Sequence, residues 1–146
     1  MKTLSTILFL FIVQLSFSQV KPNKTWTDYT TFEGVKIEYK YAVCTPDERR
    51  EQILVLFRYT NTTQDKVELT WKSETWRNNN CMNCNSSSTE HNRFIVLNPN
   101  EIVEATGSTK KIKSNYIFAN FKVLVPGMTK QQLTDFKFQN LSKKTL

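Results

Sequence analysis

Hydrophobic and polar positions alternate along this chain with a period of two, and no stretch sustains a helical period. Val35, Ile37, Tyr39, Tyr41 and Val43 alternate with Lys36, Glu38 and Lys40, the pattern of a strand with one face in a core. In Gln52–Asn61 both faces are apolar, with Ile53, Val55, Phe57 and Tyr59 on one and Leu54 and Leu56 on the other. A strand buried on both sides is read as central. Lys66–Trp76 resumes the alternation, with Val67, Leu69 and Trp71 inward. Further strands are read at Arg93–Leu97, Glu101–Thr106, Tyr116–Val125 and Thr134–Leu141. Turn chemistry separates them at Thr45–Glu51, Asn61–Asp65, Asn98-Pro99-Asn100 and Pro126-Gly127. Arg77–Asn92 reads as one long polar loop and Gly107–Asn115 as a basic loop. One helical turn is expected from Thr129, where Thr129 and Gln132 fit a capping box.

About seven short strands between frequent turns predict an all-β domain, an antiparallel immunoglobulin-like β-sandwich, with a small barrel as the second choice. Trp71 shares its register with Val67 and Leu69 and is read as core.

The first residues follow another pattern. Lys2 precedes an apolar run, Leu4–Leu15, broken only by Ser5, Thr6 and Gln14, and Ser16-Phe17-Ser18-Gln19 follows. A cationic head, an apolar centre and small residues at −3 and −1 predict a signal peptide over residues 1–18, cleaved after Ser18. The run is shorter than the roughly 20 residues that a membrane span needs. The expected product is a single domain, residues 19–146, exported to the periplasm or beyond the cell, with no transmembrane segment.

An oxidising compartment changes the reading of Cys44, Cys81 and Cys84. Cys81-Met82-Asn83-Cys84 is the first disulfide candidate, because a four-residue turn brings its ends within disulfide range. A bridge from Cys44 to Cys81 or Cys84 competes with it. The loop model gives that longer closure about 4 kcal/mol of stabilisation, against about 2 kcal/mol for the short ring. Two chemical readings stand beside these. Cys81 and Cys84 could exchange disulfides, although no helix pattern is present to lower a thiol pKa. Cys44, Cys81, Cys84 and His91 would make a tetrahedral zinc set, although the spacing from Cys84 to His91 fits no standard finger.

Net charge is +7, and it is unevenly spread. After Ala105 eight lysines face a single acid, Asp135. A polyanion could bind this third of the chain. Arginine is absent after Arg93, so the bidentate phosphate fork is missing and specific nucleic-acid binding is not expected. One histidine, no glycine-flanked serine and no carboxylate cluster leave few catalytic roles to fill. The function class expected is a non-catalytic binding or accessory module without a cofactor. Its partner would be another exported protein or an anionic surface.

The order of the Val35–Cys44 strand, Thr60-Asn61-Thr62, Trp71, Trp76, Cys81-x-x-Cys84 and Leu97-Asn98-Pro99-Asn100-Glu101 resembles small exported bacterial β-sandwich proteins to which no activity is assigned. The resemblance covers most of residues 19–146. It implies a further cysteine shortly after the Asn-Pro-Asn-Glu turn as the partner of Cys44, where this chain has Gly107-Ser108.

Counting strand reversals from Val35 gives the expected location of a binding surface. Thr45–Glu51, the Cys81 loop, Gly107–Asn115 and the C-terminal tail fall at one end, and the Asn61, Pro99 and Pro126 turns at the other. The first end would gather Arg49, Arg50, Arg77, Lys110, Lys111, Lys113, Lys143 and Lys144, on loops of the kind that carry binding sites.

Overall fold

A computed structural model describes residues 22–23, 25–45, 50–107 and 112–146. The signal peptide expected at residues 1–18 lies outside them, as do Arg49, Lys110 and Lys111. Two antiparallel sheets pack face to face as a β-sandwich.

The first sheet is a meander of β1 (Thr27–Phe32), β2 (Val35–Cys44) and β3 (Gln52–Asn61). Strand β1 was not expected from the sequence. Glu33 and Gly34, with φ of 44° and 83°, form the two-residue turn that joins it to β2. A Cβ at Gly34 would stand 2.5 Å from the Thr63 methyl, so glycine is needed there for space as well as for φ. On its far edge β3 pairs with both β7 (Ile102–Glu104) and β8 (Tyr116–Phe121). Strand β3 is therefore central, as its two apolar faces predicted.

The second sheet is centred on β4 (Val67–Arg77). One edge of β4 holds β9 (Leu133–Thr145). The other holds β6 (Asn92–Leu97) and the two-residue β5 (Asn80–Cys81). A short 3-10 turn, Thr89–His91, leads into β6. No helix among the described residues is long and apolar enough to cross a membrane.

The core lies between the inner faces. Val35, Ile37, Val55, Phe57 and Tyr59 meet Leu69, Trp71, Leu97, Leu133 and Phe136. Trp71 is buried and stacks on Phe138 with ring centres 4.7 Å apart and planes 9° apart. The Tyr59 hydroxyl, fully buried, donates to the Ser114 carbonyl. A smaller cluster of Cys44, Leu54, Leu56 and Ala105 covers the outer face of the first sheet.

Three expectations are corrected. Residues 129–132 form no helical turn. The strand expected through Val125 stops at Phe121, because its last pairing is to Gln52, where β3 begins. The count of reversals fails at Gly107–Asn115. Ala105 N donates to Phe57 O and Phe57 N donates to Asn115 O, so this loop leaves and rejoins the β3 edge at the same residue. Both β7 and β8 run antiparallel to β3, and no reversal occurs between them. Every later element changes ends as a result. The Pro126 turn lies at the Cys44 end, and the C-terminal tail reaches the Asn61 end, where Leu146 N donates to Lys66 O.

Candidate functional site

At the Cys44 end β4 finishes on Arg77, whose side chain crosses from the second sheet to the first. Its Nη2 donates to Phe118 O at 2.6 Å, and its Nη1 donates to Ala119 O at 2.8 Å and Gln131 O at 3.2 Å. The Phe118 and Ala119 carbonyls are available together because β8 bulges opposite Ile53 and Leu54. The guanidinium also lies 5.3 Å from the Phe118 ring centre. Burial pushes the Arg77 pKa down, and no carboxylate among the described residues pairs with it.

Beside Arg77 opens a cleft of about 790 Å³, floored by Ile53, Phe118 and Phe121 and roofed by the crossover from Lys122 to Gln132. On the crossover Val123, Leu124 and Val125 are 69%, 40% and 40% exposed. Arg50 Nη1 lies 3.8 Å from Met128 Sδ, and its guanidinium lies 5.9 Å from the Phe121 ring centre. Lys122 is held by Glu51 at 2.8 Å. Asn120 lines the same cleft, and its Oδ1 is buried without a hydrogen-bond partner.

The loop expected at Arg77–Asn92 is largely ordered by its own chemistry. Asn78 and Asn79 take φ of 48° and 66°, the left-handed pair of a two-residue hairpin turn, and return the chain into β5. Cys81 and Cys84 are joined as a disulfide with Cα atoms 5.9 Å apart. Cys84 N donates to Cys81 Sγ at 3.0 Å, and Lys72 Nζ donates to Ser86 O at 2.8 Å. Beyond the ring a smaller cleft of about 310 Å³ is lined by Met82, Asn83, His91, Arg93 and Lys113. His91 pairs with Glu90 at 3.2 Å.

Neither the long bridge nor the zinc set is formed. Cys81 and Cys84 are bonded to each other, whereas Cys44 is a buried free thiol on the outer face of the first sheet. Burial pushes its pKa up. No cluster of histidine, cysteine and carboxylate among the described residues could hold a metal ion.

Of the expected surface cations, Arg77 lines the large cleft, Arg50 lies against Met128 and the Phe121 ring of that cleft, and Lys113 lines the small one. The lysine-rich third does not form one patch. Lys122 and Lys130 line the large cleft, Lys137 lies over the Trp76 ring at 4.8 Å, and Lys143 reaches Glu33 at the opposite end. Sequence reading missed Val123-Leu124-Val125 as a surface, because an apolar run with two β-branched valines before Pro126 reads as strand. Only the lack of a β3 partner exposes it. Comparison with family models, with curated proteins and with solved structures finds no match to this chain.

Proposed function

We propose that this is an exported, non-catalytic binding module whose contact surface is the cleft beneath the 122–132 crossover. The observation that carries the reading is the exposed Val123-Leu124-Val125 run at the lip of an apolar cleft. Contiguous exposed apolar surface rimmed by polar groups marks contact sites, and a cleft of this size suits a ligand or an inserted side chain. Arg77 supports the surface by fixing β8 to the crossover, and its charge favours an anionic group in the partner.

The test is capture from the native exported fraction by wild type and by a Val123→Asp/Leu124→Asp double variant of unchanged circular dichroism. A partner held by wild type and lost by the variant is expected, and equal retention overturns the reading. Export itself predicts a mature chain beginning at Gln19, read by intact mass.

A second reading rests on one contact, the Cys84 amide donating to Cys81 Sγ on an exposed ring. Such a donor stabilises a Cys81 thiolate, which is the species that exchanges disulfides. An assay of disulfide reduction and reoxidation with Cys81→Ser as control separates the two readings. Turnover lost in the variant would replace the first by the second.

A further inference from the structure

On the outer face of the second sheet one aromatic ring stands in a polar bed, in a groove that shares Arg93 with the small cleft. Phe94 of β6 is 63% exposed, although its strand neighbours Ile95 and Leu97 are core. Phe94 pairs across to Thr70, and Thr70 to Ser142. The next row is Asn92, Lys72 and Gln139. Between the two rows β9 carries an extra residue, since Thr70 pairs with Ser142 while Lys72 pairs with Gln139. Asn140, in that bulge, adopts φ of 54°. A bulge re-aims a side chain, and asparagine is one of the few residues other than glycine that take this left-handed backbone readily. Asn140 lines the same shallow groove of about 500 Å³ as Phe94, Thr70, Asn92, Lys72 and Glu68.

The chemistry of this lining is selective. A purely apolar partner would leave the amides of Asn92 and Asn140 buried without partners, which is costly. A polyanion finds Glu68 beside Lys72 and Arg93, and both cations are already engaged: the ammonium serves Glu74 and the Ser86 carbonyl, and Arg93 Nη1 donates to the Glu90 and Asn92 carbonyls. What fits is a ligand with an apolar C–H face for the ring and an edge of hydroxyls that both donate and accept. Those are the two faces of a sugar ring. Side-chain amides supply both hydrogen-bonding senses at one position, and an open groove on a sheet face admits a chain rather than a single unit.

We propose that the outer face of the second sheet binds a neutral oligosaccharide. Phe94 stacks on a sugar ring, and Asn92, Asn140 and Thr70 hydrogen-bond its hydroxyls. This site is independent of the cleft proposed above. Trp71 lies under the groove floor and serves as a built-in reporter.

The experiment titrates the full chain with soluble hexasaccharides of glucose, N-acetylglucosamine, mannose and xylose, followed by tryptophan fluorescence and by calorimetry. Saturable binding of at least one is expected. Phe94→Ala should weaken it about tenfold, in line with the worth of an aromatic contact, while Phe94→Tyr restores it. Asn140→Gly keeps the left-handed backbone while removing the amide, and should weaken binding severalfold without changing the unfolding midpoint. No saturation with any of the four at millimolar concentration overturns the proposal. So does undiminished affinity in Phe94→Ala, or self-association abolished by Phe94→Ala with no sugar bound.

Discussion

The side-chain amide of Asn83 stands against Ser73 as a strand would, its Nδ2 donating to the Ser73 carbonyl at 2.7 Å. Its Oδ1 accepts from the next outward amide, Thr75 N, at 3.0 Å. Along this edge of β4 the backbone partners run out, since β6 ends its pairing at Lys72 and β5 begins at Trp76. Met82 N donates to Thr75 O at 2.9 Å and closes the remaining gap. The Cys81–Cys84 ring holds these groups in place, so a four-residue turn satisfies backbone that would otherwise lie open to pairing with another chain.

Asn83→Ala should therefore destabilise the fold by about 1–3 kcal/mol, the range for leaving part-buried polar groups unpaired. Asn83→Asp should be at least as harmful, because a carboxylate cannot donate to Ser73 O. Urea midpoints of the three proteins check this, and equal midpoints would contradict it.

Gly107 lies against Cys44, and an ideal Cβ there would sit 2.8 Å from the Cys44 sulfur and 3.4 Å from its Cβ. The second distance is close to the spacing of bridged cysteines. Gly107→Cys is expected to form a disulfide with Cys44, seen as the loss of two hydrogens in intact mass and of the free thiol. The loop model allows up to about 4 kcal/mol of added stability. Gly107→Ala, by contrast, should destabilise, because a methyl group meets the sulfur and cannot bond to it.

Glu38 sits on the outer face of the first sheet, nearly buried, with Arg58 Nε at 2.7 Å and Lys36 Nζ at 3.0 Å. The Arg58 hydrogen bonds, more than Lys36, hold its carboxyl at about 2, below the ordinary 4.5. The folded protein thus binds this proton more weakly than the unfolded chain does. Its stabilisation is complete above about pH 4.5 and is lost as pH falls through about 2. About 2 kcal/mol is expected, allowing for solvent around the two cations. Glu38→Gln should flatten the acid limb of a stability–pH curve measured between those values.

Arg77→Lys keeps the charge and loses the fork that reaches three carbonyls. A cost of about 1–3 kcal/mol is expected, with faster amide exchange in β8 and the crossover as the local signature. Unchanged exchange there would show that the clamp is not what holds the crossover.

The alternation in Val35–Tyr41 and Lys66–Trp76 determined two strands and their inward faces, because side chains of period two must divide between core and solvent, whereas Val43 near the end of β2 is exposed. The doubled apolar face of Gln52–Asn61 determined the centre of a sheet for the same reason. The spacing of Cys81 and Cys84 made their ring feasible. Only the tertiary structure decided which end each later loop occupies. Its deciding fact is that Phe57 hydrogen-bonds both sides of the Gly107–Asn115 loop, a non-local pairing invisible to any count of turns. Strand β1 was equally hidden, since Thr27–Phe32 is mostly polar and gains its place by pairing with β2. Val123-Leu124-Val125 shows the converse. Its residues favour a strand, but a strand forms only where a neighbour offers backbone to bond, and β3 begins only at Gln52, opposite Phe121.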